Sequence, residues 1–180
     1  VVALALAEAG ILTVSFNFPY ADQGKSSPDG QKRLEATWSG VAEWVKRDPR
    51  CRPSRLVAAG KSMGGRVASQ LAAAQCLAVE GLIFLGYPLH APGRKDKLRD
   101  AHLAAIKQPM LFIAGTRDVF CDLALLKPIL NRLVPPPELV VINDGNHSFD
   151  LPKARADEQK RCHAEIAGHC LRWLASGADD

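Results

Sequence analysis

The sequence predicts an α/β fold with a mostly parallel, doubly wound sheet, on the basis of two patterns. Short runs of continuous apolar residues recur along the chain, as expected for strands that a parallel sheet buries on both faces. Segments with apolar residues at helical spacing separate these runs, and no linker or internal repeat interrupts the alternation. The chain has 180 residues, a length that suits one hydrophobic core. We therefore expect a single α/β domain over residues 1–180.

The first half of the chain is predicted to open with a helix that ends at Gly10, a typical residue at a helix C-terminus. The β-branched and aromatic run 11–17 predicts the first strand, which Pro19 terminates. The other elements of this half are, in order, a helix with apolar residues at 34, 38, 41 and 45, a strand over 56–59 and an alanine-rich helix over 66–77.

The second half continues the alternation around one irregular, basic stretch, Tyr87–Asp100. Its predicted elements are strands over 82–85, 110–114 and 139–142 and helices over 121–133 and about 158–175. Five strands are therefore expected in all, and their carboxyl ends should define the edge where such sheets bind ligands.

Composition excludes several classes of protein. No apolar run approaches the ~18–20 residues that a membrane-spanning helix needs, so no membrane partner is expected. The formal net charge of +4 is spread along the chain without a Lys- or Arg-rich block, which argues against a nucleic-acid partner. The five cysteines lack a C-x-x-C motif and a regular spacing, so we expect reduced thiols and a cytoplasmic protein.

The last predicted helix carries two cysteine–histidine pairs, Cys162-His163 and His169-Cys170. A metal site is one interpretation of this cluster. The alternative is packing, because positions 162, 166, 170 and 173 fall on one helical face as Cys, Ile, Cys and Trp. We favour packing and expect no metal.

A G-x-S-x-G motif, Gly60–Gly64, follows the second predicted strand, with Gly65 and a helix directly after it. This context is typical of a nucleophile on a sharp strand-to-helix turn, where side chains at the glycine positions would collide with the neighbouring backbone. Ser62 is the predicted nucleophile, and the N–H of Met63 is a predicted oxyanion donor. A phosphate-binding loop is the rival interpretation, but it requires glycine where Arg55 stands.

A serine nucleophile needs a base and an orienting carboxylate. Asp118 and His147 each come shortly after the end of a later predicted strand, in the chain order Ser, Asp, His that this motif requires. An alternative role for Asp118 is helix N-capping, and Asp122 and Asp144 are weaker candidates for the acid. We expect Ser62, Asp118 and His147 to be the catalytic residues.

Three other residues are candidates for the substrate pocket. Lys61 puts a cation beside the nucleophile, where it could favour an anionic substrate, stabilise negative charge or pair with a carboxylate. Tyr87 and His90 follow the third predicted strand and so fall near the same edge of the sheet; His90 could also be a backup base or an ordinary loop histidine. The basic stretch 94–99 is either a short lid or a solvated loop.

Several sequence blocks together resemble the α/β-hydrolase-like domain of the testis-expressed-protein and NSL-complex-subunit type, whose bacterial members are related to dienelactone hydrolases. The blocks are Ser15-Phe16-Asn17-Phe18-Pro19-Tyr20, Gly60-Lys61-Ser62-Met63-Gly64-Gly65-Arg66, Gly86-Tyr87-Pro88-Leu89-His90, Lys97-Leu98-Arg99-Asp100 and Gly145-Asn146-His147-Ser148-Phe149. The resemblance implies an α/β-hydrolase fold with a Ser–Asp–His triad, and it implies little about the substrate.

The same resemblance implies an opening strand and a His-Gly-rich loop ahead of the first helix, with one of the two oxyanion N–H donors on that loop. The chain instead begins at Val1, within that helix. We therefore expect the N-terminal strands to be missing from this chain, which would make it an N-terminally incomplete version of a longer protein.

The leading functional hypothesis is a serine hydrolase that cleaves an ester or similar acyl bond of a small molecule through an acyl-enzyme, with no metal or organic cofactor. The competing hypothesis is a hydrolase-like scaffold with weak or absent catalysis that binds other proteins. Acyl preference and oligomeric state do not follow from the sequence.

Overall fold

The computed structural model describes residues 1–153 and 155–177 of the chain. Within them, four parallel strands form one sheet in the spatial order β1-β2-β3-β4. The strands are β1 (Val57–Lys61), β2 (Gly81–Leu85), β3 (Met110–Gly115) and β4 (Glu138–Ile142). The helices are α1 (Val2–Glu8), α2 (Pro19–Asp22), α3 (Gln31–Arg47), α4 (Met63–Ala73), α5 (Leu123–Leu130) and α6 (Ala156–Ser176), with a 3₁₀ turn at Leu103–Ala105.

Helices cover both faces of the sheet. Alternate residues of each strand point to opposite faces, so Phe84 and Phe112 join the core under α3, α4 and α5. Ile83 and Ile113 join the opposite core under α1 and α6. The predicted α/β class with a parallel sheet is therefore confirmed, because strands buried on both faces need apolar residues at every position.

The predicted first strand over residues 11–17 is wrong. These residues have no regular secondary structure, and the described part of the chain forms a sheet of four strands rather than five. A strand needs a neighbour for its N–H and C=O groups, but two cavities of about 430 Å³ and about 510 Å³ lie between this segment and β1. The β-branched residues of 11–17 favour a strand, but this segment does not pair with β1, which pairs with β2 alone among the described residues.

The remaining elements match the predictions to within a few residues. The stripe of Cys162, Ile166, Cys170 and Trp173 on α6 is buried in the core beside β3 and β4, so the packing interpretation is confirmed. All five cysteines are free thiols. None of the helices in residues 1–153 and 155–177 is both long and apolar enough to cross a membrane.

Candidate active site

Ser62 lies on the turn between β1 and α4, with φ of 52°. Backbone in this left-handed region is unfavourable for a residue with a side chain. The turn also brings two glycines into close approach: a Cβ on Gly60 would collide with the backbone nitrogen of Gly65, and a Cβ on Gly65 would lie 2.7 Å from the Gly60 carbonyl oxygen. By contrast, a Cβ on Gly64 would meet no atom within 4 Å. The turn therefore depends on Gly60 and Gly65, and not on both glycines of the motif as the sequence suggested.

Ser62 directly precedes α4, so the first amide groups of this helix follow it in the chain. The first backbone bond at this end runs from Arg66 N–H to the Ser62 carbonyl, at 3.1 Å. The N–H groups of Met63 and its two successors precede that bond and have no partner within the helix. Such groups carry partial positive charge that favours an anion, and the Met63 amide comes directly after the serine.

His147 and Asp118 meet Ser62 at the carboxyl edge of the sheet. His147 Nε2 lies 2.7 Å from Ser62 Oγ, and His147 Nδ1 lies 2.9 Å and 3.0 Å from the two carboxylate oxygens of Asp118. The three residues follow β1, β3 and β4, so parallel strands bring them together across more than 80 positions of sequence. The three residues expected from the sequence thus form one chain of hydrogen bonds.

The polarity of this chain follows from the Asp118 carboxylate. An ionised carboxylate only accepts, so His147 Nδ1 carries the proton and donates it to Asp118. In neutral His147 the other nitrogen, Nε2, then holds a lone pair and accepts the hydroxyl hydrogen of Ser62. The arrangement makes Ser62 the donor and His147 the acceptor, which is the direction of proton transfer that activates a serine.

The surroundings of Asp118 keep its carboxylate in position. Its side chain is 0% exposed, and its Oδ1 also accepts the Phe120 N–H at 2.8 Å. The Phe120 ring packs on the His147 ring with 4.4 Å between centroids. The N-cap interpretation of Asp118 is wrong, since Asp122 caps α5 by accepting the Ala124 N–H.

A second serine–histidine pair, formed by Ser69 on α4 and His102, has no sequence motif that marks it. His102 Nε2 lies 2.8 Å from Ser69 Oγ, and Ser69 is 0% exposed in the middle of α4. Ser69 Oγ donates its one hydrogen to the Arg66 carbonyl at 2.7 Å, so His102 Nε2–H donates to Ser69. Burial lowers the pKa of His102, and the Arg66 charge lowers it further. Only the fold brings this histidine to α4, so no motif signals the pair.

The three pocket candidates lie in different environments. Lys61 is exposed and its Nζ donates to Ser148 Oγ at 2.9 Å, next to His147 in sequence. Tyr87 is buried, its hydroxyl donates to the Arg99 carbonyl, and burial raises its pKa. His90 is 1% exposed; its Nδ1 bonds the neighbouring Ala91 carbonyl, and its Nε2 accepts the N–H of Asp122, at the start of α5. The structure therefore brings Lys61 to the cavity beside Ser62 and leaves Tyr87 and His90 outside the residues that line it.

The cavity of about 430 Å³ reaches Lys61, Ser62 and Met63. Residues 13–18, Tyr20 and Ala21 also line it, and they include the aromatic residues Phe16 and Phe18. Ser62 is the residue of the hydrogen-bonded chain that this cavity touches, so a ligand in it would lie against the serine and the Met63 amide. In the part of the chain that the structure describes, no group of three or more His, Cys, Asp or Glu side chains could hold a metal ion.

Residues 1–175 match the family model described as alpha/beta hydrolase domain. The chain belongs to this family. The match runs from α1 to the last turn of α6 and so covers nearly all of this alpha/beta hydrolase domain.

Solved structures give the same fold. An α/β serine hydrolase without lid from Xanthomonas campestris shares 28% identity and a TM-score of 0.70, over 96% of this chain and 71% of that chain. An α/β serine hydrolase homologue from Coxiella burnetii shares 23% identity and a TM-score of 0.71, over 96% and 73%. Dienelactone hydrolase from Anabaena variabilis shares 20% identity and a TM-score of 0.67, over 93% and 74%. Membership of the alpha/beta hydrolase domain family supports a hydrolase.

Proposed function

We propose that the protein is a carboxylesterase-like serine hydrolase that cleaves an ester or similar acyl bond through a Ser62–Asp118–His147 triad. The observation that carries this proposal is the series of hydrogen bonds from the Asp118 carboxylate through His147 to Ser62 Oγ. Its polarity leaves the lone pair of His147 Nε2 facing the proton that must be removed. Membership of the alpha/beta hydrolase domain family supports the same reaction class.

The reaction has two steps. Ser62 Oγ attacks the carbonyl carbon of the substrate while His147 Nε2 takes the hydroxyl proton, and Asp118 stabilises the imidazolium that forms. The bond to the leaving alcohol then breaks, and His147 returns the proton to the alkoxide oxygen. In the second step His147 removes a proton from water as the water oxygen attacks the acyl-enzyme. The bond from the acyl carbon to Ser62 Oγ then breaks, His147 returns the proton to Oγ, and the carboxylic acid leaves.

The strained turn at Ser62 gives the reaction a nucleophile elbow with an adjacent oxyanion donor. The carbonyl oxygen becomes negative as Ser62 attacks, and the Met63 N–H lies in the first turn of α4 without a helical partner. Removing one oxyanion donor from a serine hydrolase typically costs about 10²–10³ in kcat. Because Met63 N–H is a backbone group at a fixed position, it can donate to the oxyanion without any side-chain movement.

A small-molecule acyl substrate fits the cavity beside Ser62. Its volume of about 430 Å³ lies within the range of ~300–1,000 Å³ typical of small-molecule sites. Phe16, Phe18 and Leu85 contribute apolar surface, and Lys61 is the one charged residue among the described residues that line the cavity. We propose a neutral, mainly apolar acyl group in this cavity, with the carbonyl at Ser62.

Hydrolysis of p-nitrophenyl esters of increasing acyl length tests the proposal. The parent protein should release p-nitrophenol with a maximum at the acyl length that fills the cavity, and Ser62→Ala should remove this activity. Ser148→Ala is a matched control, because Ser148 lies beside the site but outside the hydrogen-bonded chain. Equal rates for the parent and Ser62→Ala would contradict the proposal and favour the alternative, a hydrolase-like scaffold for protein–protein interaction.

Two finer assignments accompany the proposal. The sequence blocks around Ser62 and His147 support the testis-expressed-protein and NSL-complex-subunit type within the larger family. A cytoplasmic location is supported by the five free cysteines, since reduced thiols are usual in that compartment. Immunofluorescence or fractionation of the tagged protein would test the second assignment, and an extracellular signal would contradict it.

A further inference from the structure

The loop that carries Asp118 runs from the end of β3 to the start of α5 and is anchored at both ends. Near β3, Thr116 N–H donates to the Ile142 carbonyl at 3.0 Å and Arg117 N–H donates to the Gly145 carbonyl at 2.9 Å. These bonds tie the first half of the loop to the segment that carries His147. Within residues 1–153 and 155–177, no such backbone bond joins the second half, from Phe120 to Asp122, to β4 or the segment after it, so its support comes from elsewhere.

His90 supplies that support through two hydrogen bonds. Its backbone N–H donates to the Phe120 carbonyl at 3.1 Å, and its side-chain Nε2 accepts the Asp122 N–H at 3.1 Å. Both partners follow Asp118 within four residues. His90 itself is 1% exposed, so water does not compete for these bonds.

The bonds of His90 fix its tautomer. Nδ1 lies 2.9 Å from the Ala91 carbonyl oxygen, which only accepts, so Nδ1 carries the proton. Nε2 is therefore the unprotonated nitrogen, in agreement with its role as acceptor for Asp122 N–H. A side chain with a donor at this position would face another donor, and an apolar side chain would leave a buried N–H without a partner.

The supported residues are the ones that hold the acid and the base. Phe120 N–H donates to Asp118 Oδ1 at 2.8 Å, and the Phe120 ring packs on the His147 ring. Displacement of residues 120–122 would therefore move both the carboxylate and the imidazole. Small displacements of this kind matter because proton transfer requires hydrogen-bond distance between its partners.

We propose that His90 is a positioning residue, whose Nε2 lone pair holds the Phe120–Asp122 segment and thereby aligns Asp118 with His147. The inference rests on the proposed function, since it assigns His90 to the same site. His90 touches neither Ser62 nor the cavity beside it, so it acts through Phe120 and Asp122 and not on the substrate.

Two conservative variants test the Nε2 acceptor of His90 separately from its Nδ1 donor. In His90→Gln the amide oxygen can take the position of Nε2 and accept the Asp122 N–H. In His90→Asn the shorter amide can reach only the position of Nδ1, so the Ala91 bond survives and the Asp122 bond is lost. Ser69→Ala is the control for a lost buried hydrogen bond elsewhere in the fold.

Steady-state kinetics of the full chain on a p-nitrophenyl ester should show a loss in kcat without a change in KM. We expect His90→Asn to lower kcat about tenfold, the effect of one lost hydrogen bond on the barrier. His90→Gln should stay within about threefold of the parent, by the same scale. Equal kcat values for His90→Gln and His90→Asn, whether both high or both low, would overturn the inference, as would an equal loss in Ser69→Ala.

Proton NMR gives a reading that does not need activity. The Nδ1–H of His147, bonded to Asp118, should give a downfield signal in the parent and in His90→Gln, and this signal should broaden or vanish in His90→Asn. An unchanged signal in His90→Asn would overturn the inference. If the parent had no Ser62-dependent esterase activity, the proposed function would fail, while the NMR comparison would still decide the role of His90.

Discussion

Two serine–histidine pairs lie along α4 in the described residues, with almost the same distance between oxygen and nitrogen. Ser62 Oγ lies 2.7 Å from His147 Nε2, and Ser69 Oγ lies 2.8 Å from His102 Nε2. The pairs differ in their third partner. A carboxylate accepts the far proton of His147, whereas a backbone carbonyl accepts the hydroxyl hydrogen of Ser69.

This difference reverses the hydrogen bond between serine and histidine. Asp118 leaves a lone pair on His147 Nε2, so Ser62 donates to it. The Arg66 carbonyl takes the hydrogen of Ser69, so His102 donates to the serine and cannot remove its proton. A serine beside a histidine is therefore a nucleophile only where another group sets the tautomer, and the short distance alone carries no such meaning.

The largest expected effect comes from exchanging the two serines for alanine in turn. Ser62→Ala should lower kcat by about 10⁶, the loss typical of a serine hydrolase that has lost its nucleophile. Ser69→Ala should leave kcat within about threefold of the parent, because Ser69 is fully buried away from the cavity. Esterase kinetics of both variants check this. A larger loss in Ser69→Ala than in Ser62→Ala would exchange the roles of the two pairs.

The next largest loss of activity should come from a variant in which the histidine of the Ser62–His147 pair donates to the serine, as His102 does to Ser69. In Asp118→Asn an amide N–H can face His147 Nδ1, so Nε2 carries the proton and no longer accepts from Ser62. We expect a drop in kcat of about 10⁴ with little change in KM. Asp100→Asn is the matched control near His102. A kcat for Asp118→Asn within tenfold of the parent would contradict the assigned polarity.

A smaller effect concerns stability. Ser69→Ala removes the acceptor of the His102 N–H within the core, which should lower the free energy of unfolding by about 1–3 kcal/mol. Urea denaturation followed by circular dichroism measures this change. Ser62→Ala should change stability less, since Ser62 is only partly buried on a strained turn. Ser62→Ala should therefore lower activity more than stability, and Ser69→Ala should lower stability more than activity.

The smallest effect is a pH dependence of the second pair. Burial and the Arg66 charge lower the pKa of His102 in the folded chain, although Asp100 opposes this shift. The unfolded chain therefore binds a proton first as pH falls below about 6.5, and the free energy of unfolding should decrease with it. His102→Gln, which keeps an N–H donor for Ser69, should remove this part of the decrease. Identical pH dependence in parent and variant would contradict it.

The sequence predicted the first pair and missed the second for a physical reason. Ser62, Asp118 and His147 each follow a strand, and parallel strands bring their carboxyl ends to one edge. Ser69 and His102 have no such marker, because a helical serine bonded to the carbonyl three residues earlier and a histidine before a 3₁₀ turn are ordinary local patterns. The order of elements along the chain predicts which residues meet at the carboxyl edge of the sheet. It does not predict which distant loop packs on a given face of a helix.

The prediction for residues 11–17 failed because strand propensity does not supply a pairing partner. The β-branched and aromatic residues of that segment border cavities beside β1. Similarly, the motif did not show that Gly65, rather than Gly64, meets Gly60 in the turn. Nor did it show that the polar contacts of His90 lead to the loop of Asp118. The missing partner of residues 11–17, the close approach of Gly60 and Gly65 and the contacts of His90 all depend on three-dimensional proximity and backbone conformation.

A fluorophosphonate probe distinguishes the two serines by its site of attack, which mass spectrometry of peptides from the labelled chain identifies. The probe reports which serine oxygen can lose its proton to a histidine. The adduct should lie on Ser62 in the parent and in Ser69→Ala, and it should be absent from Ser62→Ala. An adduct on Ser69, or labelling of Ser62→Ala at the parent rate, would contradict the account.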